Sequence, residues 1–437
     1  MAKMAFEREL ELRYDVDVLI AGGGPAGCAA AVAAARGGAD VFLIEANACL
    51  GGQGTAGMVP AFMQFGDGEN FLAAGLGREF LERMWFYGGM EYAGRKTFAI
   101  QQEALKRAYD EMLADAGAQF SFGSVLTAVE VADGEIRYGV VSAKSGLYAV
   151  RAKVYIDCTG DADLAFWAGV PCDKGDGQGN MMAGTLCSLW TGIDWEKRDG
   201  RDGRHLEQAF RDGLFEKPDL HLPGMWKISD KIGGGNIGHT FGVDGTDERS
   251  LTQALVYGRK LIDQYETYYK KYLTGYENME LAATGAMLGI RETRRIQGEY
   301  RLVLDDFVNK SVFEDEIGRY CYPVDIHASD NSTDSFEKFY TAHTSYRYEK
   351  GESYGIPYRV LVPLKIDNLL VAGRCVSTDR PMQSSIRVMP GCYITGQAAG
   401  AAAALCAKNN VKPRGVDVRE VQKKLFELGM FLPNFKK

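Results

Sequence analysis

The sequence predicts an α/β protein with a doubly wound, Rossmann-like lobe and an inserted α+β lobe, on three observations. A strand, turn, helix and strand open the chain, and the turn reads Gly22-Gly23-Gly24-Pro25-Ala26-Gly27. From about residue 172 to 350 the pattern shifts to longer polar loops. Gly- and Ala-rich α/β character then returns in NLLVAGR (368–374) and PGCYITGQAAGAAAALCAKNN (390–410). At 437 residues the chain exceeds the size at which a single hydrophobic core usually stops growing, so two lobes are expected.

In order, VDVLI (16–20) and DVFLIE (40–45) read as buried parallel strands flanking a helix made thin by its alanines and ended by Gly37 and Gly38. Residues 97–116 carry the period of an amphipathic helix. Turn signals at Asp133-Gly134 and Ser145-Gly146 predict a β-meander that leads into the buried strand KVYIDCTG (153–160). In the inserted region a helix is expected at about 247–272, with strands at GEYRLVLDDF and PVDIH. YRVLVP is expected to return to the first lobe and VDVREVQKKLFELG to close the chain as a helix. The dinucleotide lobe is thus assigned 1–60, 97–171 and 355–437, and the second lobe 61–96 and 172–354.

Composition narrows the function. A net charge of −8 offers no basic field for a phosphate backbone, so nucleic acid is not expected as a partner. Nine scattered cysteines without CxxC or His spacing predict reduced thiols, no metal and a cytoplasmic protein. No apolar run long enough for a membrane span is present in the sequence. A homo-oligomer stays open.

The turn at 22–27 satisfies GxGxxG between a strand and a helix, and Glu45 ends the next strand. Gly22 allows the turn, Gly24 lets a pyrophosphate approach the helix N-terminus, and Gly27 lets the helix pack closely. Glu45 suits an adenosine ribose. These residues alone leave NAD and FAD open. Leu50-Gly51-Gly52-Gln53-Gly54-Thr55 then continues as a Gly-rich loop instead of a crossover helix, which favours FAD.

EANACLGGQGTAGM (45–58), Asp157-Cys158-Thr159-Gly160-Asp161, NLLVAGR and GQAAG (396–400) resemble, in order, the elements of the glutathione-reductase-like flavoproteins. GIRETRRIQGEY (289–300), YPVDIH (322–327), IPYRVLVP (356–363) and SSIRVMPGCYITGQAAG (384–400) resemble the FAD-dependent oxidoreductase subgroup of that superfamily. The resemblance implies FAD held by Gly22, Gly24, Pro25, Ala26, Gly27, Glu45, Gly52, Gln53, Val125, Thr159, Gly160, Asp161, Gly373, Arg374, Pro390, Gly391 and Cys392. It implies no redox cysteine pair after the GG, since Gln53 to Ala56 stand there, and no histidine for covalent flavin, so FAD is expected to be non-covalent. A second dinucleotide fingerprint is not evident, because Gly233 to Gly238 follow the polar KISDKI and read as a loop.

If Pro390 starts a helix, the amides of Gly391 and Cys392 would aim a positive dipole at the flavin. His327 is the first candidate acid or base and His343 the second. Arg359 and Arg387 are candidates for a carboxylate clamp, with surface ion pairs as the competing reading. Arg291, Arg294 and Arg295 read as structural partners of Glu292 or Glu299. The expected activity is hydride transfer between flavin N5 and a small polar substrate, with no particular electron donor or acceptor indicated. A flavoprotein isomerase and an electron-transfer subunit are the alternatives.

Overall fold

The computed structural model describes residue 4 and residues 7–88, 98–198, 200–220 and 224–436. Its organising element is a sheet in the strand order 119–121, 41–44, 12–21, 146–157. Strand β1 (Leu12–Ala21) pairs in parallel with β2 (Val41–Ile44) through Val18↔Val41 and with 146–157 through Ile20↔Ile156. Helix α1 (Pro25–Arg36) joins β1 to β2, so residues 12–44 form the expected unit.

Alternation along β1 builds two cores. Val18 and Ile20 point to the face covered by α1 and the helix Met389–Asn409, whereas Leu19 and Ala21 point to the face covered by the meander. The strand Gly146–Asp157 changes partners along its length within the same seven-stranded sheet. Its first half pairs antiparallel with Glu135–Ala143, and its last residues, from Tyr155 to Asp157, pair in parallel with Leu369–Val371. The C-terminal segment therefore returns to the centre of the first lobe.

Two small residues set the spacing of the helical layer. A Cβ on Gly396 would stand 2.2 Å from the carbonyl oxygen of Ala26, and one on Gly400 would stand 2.1 Å from that of Ala30. The helix 389–409 thus lies directly on α1, immediately beyond the fingerprint turn.

A second sheet, antiparallel, runs 225–227, 233–235, 188–191, 280–284. Helix Glu248–Tyr272, capped by Asp247 accepting from the amides of Arg249 and Ser250, buries Tyr265, Tyr268 and Tyr269 in a separate core with Trp190 and Tyr276. Among the described residues no helix is long and apolar enough to cross a membrane.

Several elements differ from their sequence reading. Gly233–Gly235 is a strand rather than a loop, paired on both sides and crowded enough that a Cβ on Gly235 would meet Ser188 Oγ at 2.7 Å. YRVLVP contains a 3₁₀ turn at Tyr358–Leu361, and GEYRLVLDDF contains the short helix Leu304–Val308. PVDIH is irregular, since Pro323 supplies no ladder donor. Residues 61–88, expected in the second lobe, bury Phe62, Phe65, Leu76, Phe80 and Met84 in the core of α1 and helix 389–409; residues 89–97 lie outside the described residues.

Candidate active site

The fingerprint turn is built for close approach. Gly22 has φ +95°, and a Cβ there would sit 2.6 Å from the Cys158 carbonyl oxygen. A Cβ on Gly27 would sit 1.9 Å from the Gly22 oxygen, so only glycine lets the helix leave the turn this tightly. At Gly24, by contrast, no heavy atom lies within 4 Å of the Cβ position. That space opens at the N-terminus of α1, whose first residue is Pro25.

Glu45 is buried and accepts the Gly23 amide at 2.7 Å on one oxygen and the Asn47 amide at 2.7 Å on the other. A carboxylate with about four acceptor sites retains room for a ribose hydroxyl. The loop 50–55 lies against the turn, with the Gly51 amide donating to the Gly23 oxygen at 2.8 Å. Gln53 reaches across to the second sheet's side of the chain, its Nε2 donating to the Leu288 oxygen at 3.0 Å.

These residues line one cavity of about 740 Å³. Gly22, Gly24, Pro25, Ala26, Glu45, Gly52, Gln53, Val125, Thr159, Gly160, Gly373, Arg374 and Cys392 all face it, and so do His327 and Arg387. Residues from the first, middle and last thirds of the chain thus meet around a single space. Three buried polar atoms of residues in its wall, Gln53 Oε1, Arg374 Nη1 and Arg387 Nε, have no hydrogen-bond partner among the described residues. Open space at the helix N-terminus, a carboxylate at the end of β2 and unused polar atoms in the wall fit an extended dinucleotide.

Other candidates lie behind that wall. Asp161 is held by Arg374 at 2.7 Å and by the Thr293 hydroxyl at 2.5 Å, and Asp163 faces the cavity instead. Gly27, Pro390 and Gly391 support the two helices without lining the cavity. Helix 389–409 begins at Met389, and the Cys392 amide is already bonded to the Val388 oxygen at 3.1 Å. The dipole reading therefore moves to the amides of Met389 and Gly391, which precede that first bond. The Cys392 thiol, pushed up to about 12 by burial, stays protonated.

Arg359 is corrected outright. It lies away from the cavity, half-exposed, paired with Asp315 at 2.9 Å and stacked over Tyr300. His343 falls in the helix Thr333–Ser345, but its side chain is outside the described residues.

At the same cavity the structure brings together a cluster that the sequence did not reveal. Asp219 contacts His239 Nδ1 at 3.0 Å, and His239 Nε2 is 3.1 Å from His327 Nδ1. His327 Nε2 is 3.4 Å from Asp325 Oδ2, which also pairs with Arg387 at 3.0 Å and accepts from the Tyr322 hydroxyl at 3.3 Å. Ser384 Oγ accepts the Asp325 amide at 2.9 Å and fixes the loop that carries Asp325 and His327. Burial, reinforced by the charge of Arg291, holds the His327 pKa well below 6.5, so the ring is neutral at neutral pH.

Glu292 supplies the anchor beneath the cluster. It is fully buried and takes Arg295 at 2.9 Å and Arg380 at 3.0 Å, tying residues 292–295 to the helix Arg380–Ile386. Arg294 pairs with Asp163 at 2.8 Å. Arg291 alone of the three turns toward the cavity.

The fold and this cradle define a dinucleotide-binding flavoprotein. The model of the FAD dependent oxidoreductase family matches residues 17–425, and the chain belongs to that family, whose cofactor is FAD. No curated protein matches the chain. Among solved structures it is similar to a geranylgeranyl bacteriochlorophyll reductase-like protein from Thermoplasma acidophilum, with 14% identity, 95% of this chain and 83% of that one covered, and a TM-score of 0.45. It is also similar to p-nitrophenol 4-monooxygenase from Pseudomonas putida, with 11% identity, 94% and 84% covered, and a TM-score of 0.49. Family membership rests on the family match, to which these low scores add nothing.

Proposed function

We propose that this oxidoreductase moves a hydride between a small polar substrate and non-covalently held FAD, with His327 Nε2 as the atom that takes or returns the accompanying proton. The observation that carries the proposal is the continuity of one cavity from the fingerprint turn to the cluster of Asp325, His327 and Arg387.

FAD, when bound, supplies the two-electron centre. Gly24 and the start of α1 would hold its pyrophosphate, Glu45 its ribose, and Arg374 with Gln53 the portion nearer the cluster. Hydrogen-bond logic assigns the proton positions in the cluster. With Asp219 as acceptor, His239 Nδ1 donates to it and His239 Nε2 accepts. His327 Nδ1 then donates to His239, and His327 Nε2 faces Asp325 Oδ2 across 3.4 Å. In the oxidative direction the substrate C–H leaves as hydride and its O–H or N–H proton passes to His327 Nε2. Asp325 stabilises the imidazolium so formed, and Arg387 and Tyr322 hold Asp325 in place.

His327→Ala should retain flavin and lose about 10²- to 10⁴-fold in kcat. The assay is anaerobic bleaching of the flavin absorbance with a panel of polar metabolites, followed by steady-state turnover on the best of them. Unchanged turnover would remove His327 from the role.

A further inference from the structure

Arg291 is unlike the other buried arginines near the cavity. It is 8% exposed and faces the cavity, and its Nη1 donates to the Ala183 oxygen at 2.6 Å and to Thr185 Oγ1 at 3.0 Å. Among the described residues no carboxylate lies within ion-pair distance of it. Its neighbours all have one: Arg294 has Asp163, Arg295 and Arg380 share Glu292, Arg374 has Asp161, and Arg387 has Asp325.

A buried guanidinium without a counter-ion costs several kcal/mol, and proteins accept that cost where a ligand completes the pair. His327 cannot supply negative charge, and the one nearby carboxylate facing the same space, Asp325, is already matched by Arg387. Burial and the proximity of Arg387 lower the Arg291 pKa to about 10, which still leaves it cationic at neutral pH. The wall of the same cavity includes Thr185, Asn236 and Tyr322 as well as Met287, Ile290 and Phe339. This suits an anionic head on a short, partly apolar body.

We propose that Arg291 is the carboxylate-binding residue of this enzyme and that its substrate is a small organic carboxylate. The proposal rests on the oxidoreductase reading of the same cavity. It assigns Arg291 to the carboxylate, leaving Asp325 and His327 to the proton.

The test compares acids with their neutral amides, acetate with acetamide, benzoate with benzamide and succinate with succinamide, by calorimetric titration of the purified holoprotein. At least one acid should bind about ten- to a hundredfold more tightly than its amide, and Arg291→Met should abolish that preference while keeping flavin. Arg291→Lys should restore part of it. Equal binding of acid and amide by the wild-type protein, no binding by any of the six, or undiminished preference in Arg291→Met each overturns the proposal, and the wild-type comparison needs no variant to fold. Loss of FAD from Arg291→Met with the acid preference intact would assign the arginine to the cofactor instead, which also overturns it. Because heat of binding does not require turnover, a wild-type protein that prefers acids but whose flavin none of them bleaches would count against the oxidoreductase reading and leave the assignment of Arg291 to an acid standing.

Discussion

Gly24→Val separates cofactor binding from folding. Gly24 has φ −69° and ψ −175°, an extended conformation open to β-branched residues, and its Cβ position is free of protein atoms to 4 Å. The folded apoprotein therefore meets no clash, and restricting the unfolded chain should leave stability unchanged or raised by about 0.4–1 kcal/mol. The cost falls on FAD. Three added carbons occupy the pyrophosphate's approach to α1, at about 1–3 kcal/mol for overpacking. Lost charge-assisted hydrogen bonds to the turn add about 1.5–3 kcal/mol. The sum, about 2.5–6 kcal/mol, weakens FAD by about 10²- to 10⁴-fold. The assay pairs the flavin-to-protein absorbance ratio with thermal unfolding of the apoprotein. Gly27→Ala is the contrasting control, because its Cβ would stand 1.9 Å from a backbone oxygen and the fold itself should suffer. A Gly24→Val protein that keeps its full flavin would refute placement of the pyrophosphate at this turn; one whose apoprotein melts several degrees lower would refute the open space.

Gly400→Ala should cost about 1–3 kcal/mol, read as a lowered Tm, because the new methyl group meets the Ala30 oxygen at 2.1 Å and forces the two helices apart; an unchanged Tm would contradict that packing. His327 makes stability depend on pH. Its folded pKa lies well below the ordinary 6.5, so the folded chain stays neutral where the unfolded chain gains a proton. The stability is fully present above about pH 6.5 and is lost as pH falls toward the folded pKa, by up to about 1.4 kcal/mol per pH unit. Urea midpoints should therefore fall further between pH 7 and 5 for the wild type than for His327→Gln, and parallel falls would refute the depressed pKa.

The first lobe was legible because its signals are local. A turn that needs glycine, a helix that needs alanine and strands buried on both faces all fall within 30 consecutive residues. The helices at 248–272 and 418–427 were equally readable, each opened by an aspartate N-cap. The short strands of the second sheet were not. Gly233–Gly235 has no side chains to show a strand period, and only neighbouring strands that tolerate no Cβ make it one.

The site divides along the same line. Most cofactor positions proposed from contiguous motifs line the cavity, whereas the cluster draws Asp219 and His239 from segments far from Tyr322, Asp325 and His327 in the sequence. Arg291, Arg294 and Arg295 sit in one tripeptide-spaced run, and nothing in it reveals which arginine lacks an acid. Arg359 was misassigned because its segment forms a 3₁₀ turn that carries the side chain outward to Asp315 instead of a strand facing the cavity.

The most direct measurement is a crystal structure of the chain with FAD bound. The pyrophosphate should lie over Gly24 at the start of α1, with the isoalloxazine reaching past Arg374 toward Cys392 and the cluster of His327, Asp325 and Arg387. FAD bound in that cavity with its ring system directed away from His327, or bound elsewhere on the chain, would contradict the shared cavity on which the proposed chemistry depends.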